Sequence, residues 1–260
     1  MVPLGYYAFR IEPASLRLTH YDVALDHAPH LKGLKIAVIS DLHGGAPFID
    51  AAKVARVVAL TNQARPDLIL LTGDLNGHVY FRPSRPVAEV IGRLKPLSAP
   101  LGVHAVIGNH DRWEGAARVT ALLKKAGIPV LENAHAVLRG PSGPFYLVGV
   151  GDAEKKADDP ELALRDVPRA ADALCFTHSP DNFPKLPRTC ALTIAGHTHG
   201  GQVKLPLLGR LVVPSDYGQR YAAGLVRENG KALFVSTGIG TSILAVRLGV
   251  PPEIAVITIR

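Results

Sequence analysis

Two histidines one residue apart, His197 and His199 in Gly196-His197-Thr198-His199-Gly200-Gly201-Gln202, carry the densest ligand chemistry of this 260-residue chain. They follow the apolar run Ala191-Leu192-Thr193-Ile194-Ala195, which reads as a buried strand. In extended backbone, residues two apart face the same side, so the pair is expected to aim two imidazoles at one spot. A lone pair of this kind is weak evidence, because loop histidines are common. Four earlier stretches repeat the plan of a strand followed by a short turn carrying Asp, Asn or His. They are Asp41-Leu42-His43, Gly73-Asp74, Gly108-Asn109-His110-Asp111 and Thr177-His178-Ser179.

Together, Asp41, His43, Asp74, Asn109, His178, His197 and His199 offer carboxylate, amide and imidazole donors without a thiolate, and His110 stands beside them. Five of the eleven histidines fall in these turns. Such a donor set suits Mn, Fe, Co or Zn better than Ca, Mg or Cu(I). Seven ligands are too many for one transition ion and suit two that share a bridge. Two such ions about 3.5–4 Å apart can hold a hydroxide and clamp both oxygens of a displacement at phosphorus. His20, His27, His30, His104 and His135 read as surface or core residues. His78 follows Asp74 closely enough to be kept in view.

The elements that must position these groups are legible in order. Lys35–Ser40 and Leu68–Leu71 read as strands, as do Gly102–Ile107, Phe145–Val150 and Ala173–Phe176. Helical periodicity covers Phe48–Ala64, Val87–Leu94 and Glu114–Ala126, and a long loop is expected over Asn76–Pro86. Beyond the H-x-H turn, Val203–Val213, Lys231–Ser236 and Glu253–Ile259 read as strands without strong helices between them. That pattern predicts a second, partly antiparallel sheet packed on the first. In α/β sheets, ligands bind where turns converge outside the carboxyl ends of the strands.

A chain of this length supports one substantial core. With 47% hydrophobic and 20% charged residues the composition is globular. Cys175 and Cys190 each lie in an apolar run and are expected to be separate buried thiols in a reducing compartment. The net charge of +7 comes from scattered Lys and Arg, which reads as a basic surface with no specific nucleic-acid site. No apolar stretch approaches the ~20 residues that span a bilayer. The apolar, aromatic start Met1–Phe9 is shorter than a signal peptide. It is expected to pack on the domain, with peripheral contact to a membrane as its other use.

Asp41-x-His43, Gly73-Asp74, Gly108-Asn109-His110-Asp111, His178 and Gly196-His197-x-His199 resemble, in order, the five motifs of the calcineurin-like metallophosphoesterases. The likeness runs from about Lys35 to the C-terminus. Gly200-Gly201-Gln202, Gly238-Ile239-Gly240-Thr241-Ser242 and Pro251-Pro252-Glu253-Ile254 look like the bacterial branch related to YkuE and YaeI, some members of which act on the lipid-linked nucleotide UDP-2,3-diacylglucosamine. The resemblance implies a four-layer α/β/β/α sandwich of two mixed sheets flanked by helices, with residues 1–34 as an N-terminal extension and 35–260 as one domain. It implies one metal on Asp41, His43, Asp74 and His199, and a second on Asp74, Asn109, His178 and His197. His110 resembles the family's non-ligand histidine, and Asp111 would orient it through a carboxylate–imidazole hydrogen bond. YkuE-like relatives often carry an N-terminal signal or membrane helix. Neither is found in this sequence, so the expectation is a cytoplasmic protein, at most peripheral to the inner membrane.

The function so implied is hydrolysis of phosphodiester or pyrophosphate bonds, with a lipid-linked nucleotide among the substrates. Gly-Asn-His-Asp, in place of the Gly-Asn-His-Glu of calcineurin-type protein phosphatases, favours diesters. A phosphomonoesterase or protein phosphatase of the same fold is the alternative, followed by a non-catalytic metal-binding scaffold. Candidate phosphate contacts are Arg82, Arg85, Arg112, Lys204, Arg210, Arg220 and Arg247, most of which read as surface charges. Pro206-Leu207-Leu208 and Val212-Val213 could line a lipid-binding wall, but sheet core is the favoured reading.

Overall fold

The computed structural model describes residues 2–77 and 86–260. The strands are, in chain order, β1 (Arg17–Val23), β2 (Lys35–Ile39), β3 (Leu68–Leu71), β4 (Val103–Ala105), β5 (Ala134–Gly140) and β6 (Gly143–Val150). They continue with β7 (Ala173–Thr177), β8 (Cys190–Ala195), β9 (Lys204–Leu205), β10 (Gly209–Arg210), β11 (Gly224–Glu228), β12 (Lys231–Val235) and β13 (Glu253–Ile259). Helices are α1 (Leu4–Tyr6), continued by a π-helical turn over Tyr7–Ile11, then α2 (Ala51–Gln63), α3 (Val87–Leu94), α4 (Asn109–Trp113), α5 (Ala116–Lys125) and α6 (Pro160–Ala163).

Two mixed sheets face each other, one ordered β1-β13-β2-β3-β4 and the other β11-β12-β8-β7-β6-β5. Their central strands are predominantly apolar because both faces are buried. Along β2 and β3, Ile36, Val38, Leu68 and Leu70 point to the interior between the sheets, where they meet Leu174, Phe176, Ile194 and Phe234. The alternate residues Ala37, Ile39, Ile69 and Leu71 point outward onto the helices. There α2 presents Val54, Val57 and Val58, and α3 presents Val87, Val90, Ile91 and Leu94. Asp50 caps α2 by accepting the Lys53 N–H at 2.8 Å. The outer face of the second sheet has a thinner cover, the short α6 and the 3-10 turn at Pro180–Lys185.

Several expectations need correction. The strands beyond the H-x-H turn do not form the second sheet by themselves. β12 joins β8 there, but β13 returns to the first sheet, between β1 and β2. Residues 17–23, assigned to the extension, are an edge strand paired with β13 from Arg17↔Glu253 to Val23↔Ile259. Val203–Val213 is no continuous strand: Pro206 and Gly209 break it into the two-residue arms of a hairpin, and Leu207, Leu208 and Val212 are exposed instead of in a sheet core. The helix expected over Glu114–Ala126 is present as α5, which starts after Gly115 (φ 103°), and the short α4 precedes it where only a turn was expected.

The cysteines are not separate thiols. Cys175 and Cys190 sit on neighbouring strands, on the same outer face, and are joined in a disulfide with a Cα–Cα distance of 5.5 Å. A reducing compartment therefore no longer follows from them. No helix among the described residues is long and apolar enough to cross a membrane.

Phe176 fills the space between the sheets on the strand that ends at His178. Phe176→Ala is expected to lower unfolding stability by about 3–5 kcal/mol, measured by urea titration, since it deletes a buried ring the sheets cannot close over. A loss under about 1 kcal/mol would show that this interior is not close-packed.

Candidate metal centre

Four strands end at one side of the facing sheets, and the turns behind them bring the sequence motifs together. Asp41 and His43 follow β2, Asp74 follows β3, His178 follows β7, and His197 and His199 follow β8. Asn109 and His110 open α4, just beyond β4. The alternation argument does not explain how these side chains converge. Asp41, His43, Asp74, His197 and His199 have left-handed backbone, with φ between 46° and 70°. Each strand is therefore bent sharply at its end, and His197 and His199 go to different places. Close backbone approach makes glycine necessary nearby: a Cβ on Gly108 would lie 2.2 Å from Asp74 Oδ1, and one on Gly196 would lie 1.8 Å from Ser40 Oγ.

Two groups of buried donors result. In the first, His43 Nε2 and His199 Nε2 lie 3.1 Å apart, and Asp41 Oδ1 is 3.5 Å from His199 Nε2. In the second, His178 Nε2 is 3.1 Å from His197 Nδ1 and 2.9 Å from Asn109 Oδ1. Asp74 Oδ2 stands between the groups, 3.6 Å from His43 Nε2 and 3.4 Å from His178 Nε2. A third combination, His43, Asp74 and His110, also has ligand atoms close together.

Protonation follows from the neighbours. His178 Nδ1 donates to the Thr72 carbonyl at 2.8 Å, which orients the ring with Nε2 toward Asn109, His197 and Asp74. Burial disfavours a charged His178, yet the Asp74 carboxylate overrides it and raises the ring's pKa well above the ordinary value. His43 is held down to about 3 by burial and then by His199, and His199 to about 4 by burial. Burial alone would raise Asp74, but His178 and His43 bring it well below the carboxylate range. The neutral rings of His43 and His199 thus face the ionised carboxylates of Asp41 and Asp74 at short range, an arrangement that suits cations between them. The residues fit a divalent metal centre.

Asp111 has a different position from the one expected. Its oxygens accept the backbone N–H groups of Asp74 (2.8 Å), Leu75 (3.0 Å) and Gly108 (3.0 Å). It therefore ties the Gly-Asp turn to the Gly-Asn-His-Asp turn instead of orienting the His110 ring. His110 donates its backbone N–H to Asp74 Oδ1 at 2.9 Å, and its ring sits against His43 and Trp113. Its Nε2 is 3.5 Å from Ser242 Oγ.

A cleft of about 850 Å³ opens from this centre, with Asp74, Asn109, His110, His197 and His199 at its floor. Residues given no site role from the sequence complete it. Glu154 Oε2 lies 3.6 Å from His197 Nε2, on the far side of that ring from His178. Gln202 accepts the Ser242 N–H at 2.7 Å and donates to the Leu244 carbonyl at 3.2 Å, joining the H-x-H turn to the opposite wall. Asp152, buried at the end of β6, was the detectable omission, since Gly151-Asp152 repeats the strand-then-acid pattern. Of the basic candidates, Arg112 pairs with Glu132, Arg220 pairs with Glu228, and Arg210 donates to the Gly200 carbonyl. Arg247 is buried, donating to the carbonyls of Thr237, Gly240 and Val250, and Lys204 is exposed. His78, Arg82 and Arg85 lie outside the described residues.

Residues 34–201 match the family model described as calcineurin-like phosphoesterase. The chain belongs to that family. Its members include metallophosphoesterase YkuE of Bacillus subtilis, 30% identical over 98% of this chain and 90% of its own length. Phosphodiesterase YaeI of Escherichia coli is 32% identical, covering 96% and 91%. UDP-2,3-diacylglucosamine pyrophosphatase LpxG of Chlamydia trachomatis is 29% identical, covering 95% and 90%. As a calcineurin-like phosphoesterase this chain is a metal-dependent phosphoester hydrolase, and its sheets, helices and ligand groups are arranged accordingly.

Because Asp111 satisfies three backbone N–H groups, Asp111→Ala should strand them in the interior. Urea unfolding of the metal-free protein is expected to show a loss above about 2 kcal/mol. Wild-type stability in that variant would return Asp111 to a role confined to His110.

Proposed function

We propose that this calcineurin-like phosphoesterase hydrolyses phosphodiester or pyrophosphate bonds at a centre of two divalent ions. The observation that carries the reading is Asp74, whose Oδ2 lies between two groups of facing donors. One ion would be held by Asp41, His43, Asp74 and His199, the other by Asp74, Asn109, His178 and His197. Oxygen and imidazole donors without thiolate fit Mn, Fe, Zn or Co. When bound, such a pair supplies a nucleophile from water at neutral pH and positive charge for the phosphoryl oxygens.

The chain's own residues do the remainder. The neutral rings of His43 and His199 keep lone pairs available in the first group, and the Thr72 carbonyl fixes the tautomer of His178 in the second. With Asn109 as the ligand from this turn, His110, which lines the same cleft, would donate a proton to the leaving oxygen. The cleft wall of Val203, Leu211, Val212, Ile243, Leu244 and Val246 is apolar and lies directly beside the ligands. That wall favours a substrate with a hydrocarbon tail on its phosphate, a class to which the lipid-linked nucleotide named for LpxG belongs.

Metal analysis of gently purified protein is expected to give about two equivalents of transition metal. Less than one, with none regained on reconstitution, would count against the binuclear reading. Bis(p-nitrophenyl) phosphate should be cleaved faster than p-nitrophenyl phosphate, and the reverse order would assign a monoesterase. His110→Ala should keep both metals and roughly the same KM while kcat falls by about 10²–10⁴-fold, less for acidic leaving groups. Loss of a metal in this variant would make His110 a ligand.

A further inference from the structure

Several large apolar side chains exposed to solvent line the cleft or lie on segments hydrogen-bonded to its walls. The N-terminal helical segment exposes Leu4, Tyr6 and Phe9. The hairpin between β9 and β10 exposes Leu207 and Leu208, and Leu211 and Val212 follow it. Across the cleft, Ile243 and Leu244 are exposed as well, at 68% and 61%. A water-facing surface of this kind normally marks an interaction site.

The three segments are neighbours. The Arg247 N–H donates to the Ala8 carbonyl, and buried Glu12 accepts the N–H groups of Gly249 and Val250. The Lys204 N–H donates to the Leu248 carbonyl, whose own N–H donates to the Gln202 carbonyl. Backbone hydrogen bonds thus join the N-terminal segment to residues 247–250, and these to the base of the hairpin. Leu211, Val212, Ile243 and Leu244 meet in the cleft walls, so the apolar surface is continuous with the route to the metal ligands.

Charge selects the partner. Residues 2–11, 202–214 and 242–250 contain no Asp or Glu, while they include Arg10 and Lys204, both exposed. Apolar residues flanked by cations of one sign suit an interface between acyl chains and anionic headgroups. We propose that this rim is a docking face for an anionic lipid bilayer, with the cleft opening onto the headgroup layer. A tailed phosphate would then enter without leaving the bilayer for water, and that consequence alone rests on the proposed hydrolysis.

Binding can be read on metal-free full chain, so it separates from activity. Flotation with phosphatidylcholine vesicles containing phosphatidylglycerol should carry the protein upward. Vesicles of phosphatidylcholine alone should bind at least tenfold more weakly. The double variant Leu207→Glu/Leu208→Glu changes exposed residues that do not line the cleft. It should lose vesicle binding at least tenfold while retaining wild-type turnover of a soluble diester. Val137→Glu, on an edge strand elsewhere, should bind as wild type. Absence of wild-type flotation, equal binding to both vesicles, or full binding by the double variant would overturn the proposal. So would a wild-type dimer in sedimentation that the double variant abolishes, since a second copy would then cover the face.

Discussion

Buried nitrogen and oxygen ligand atoms crowd together at the centre of this protein at 2.9–3.6 Å, and water cannot screen them there. Cations resolve that conflict, and the rest of the structure holds the conflict in place. Five of the candidate ligand residues have left-handed backbone, a conformation that costs non-glycine residues on the order of 1–2 kcal/mol each. Hydrogen bonds between the turns offset this: Asp41 and His43 donate to the carbonyls of Gly73 and Asp74, and Gly196 donates to that of His178. The free energy of two packed sheets is thus partly stored as strain at their carboxyl ends.

The same turns also shape the substrate space. Gln202 follows the H-x-H turn and holds Ser242 and Leu244 through its side-chain amide. Arg247, fully buried, gathers three carbonyls of the same loop, with a guanidinium pKa brought down to about 10 by burial. Removing Arg247 would leave several buried acceptors unpaired, so its effect on the cleft would be indirect. The candidate ligands and the cleft wall are in this way parts of one hydrogen-bonded frame.

The sequence was most informative where one residue type has one use. Apolar runs such as Leu68–Leu71 can only be buried strands, and Asp or His immediately after them marked the turns that meet. It was least informative where the outcome depends on contacts between distant residues. The weakly alternating β1, β5 and β11 escaped notice because edge strands take their stability from a neighbour. Cys175 and Cys190 gave no hint of pairing, since their proximity comes from the strand order. Asp111 looked like a partner for the adjacent ring, yet the amides it serves belong partly to a turn over thirty residues earlier. His197 and His199 stand out in the sequence on the expectation of extended backbone, which their φ values of 70° and 50° contradict.

The placement of β13 has a consequence for how the protein is made. It lies between β1 and β2, pairing Glu253 with Arg17 and Thr258 with Lys35. The first sheet therefore stays divided until residues 253–259 have left the ribosome, although Asp41 and Asp74 were synthesised long before. Contacts so far apart in sequence slow folding and prolong the exposure of unpaired strands. Until then the edge of β2 that β13 will cover stays unpaired, an open template for wrong strand pairing.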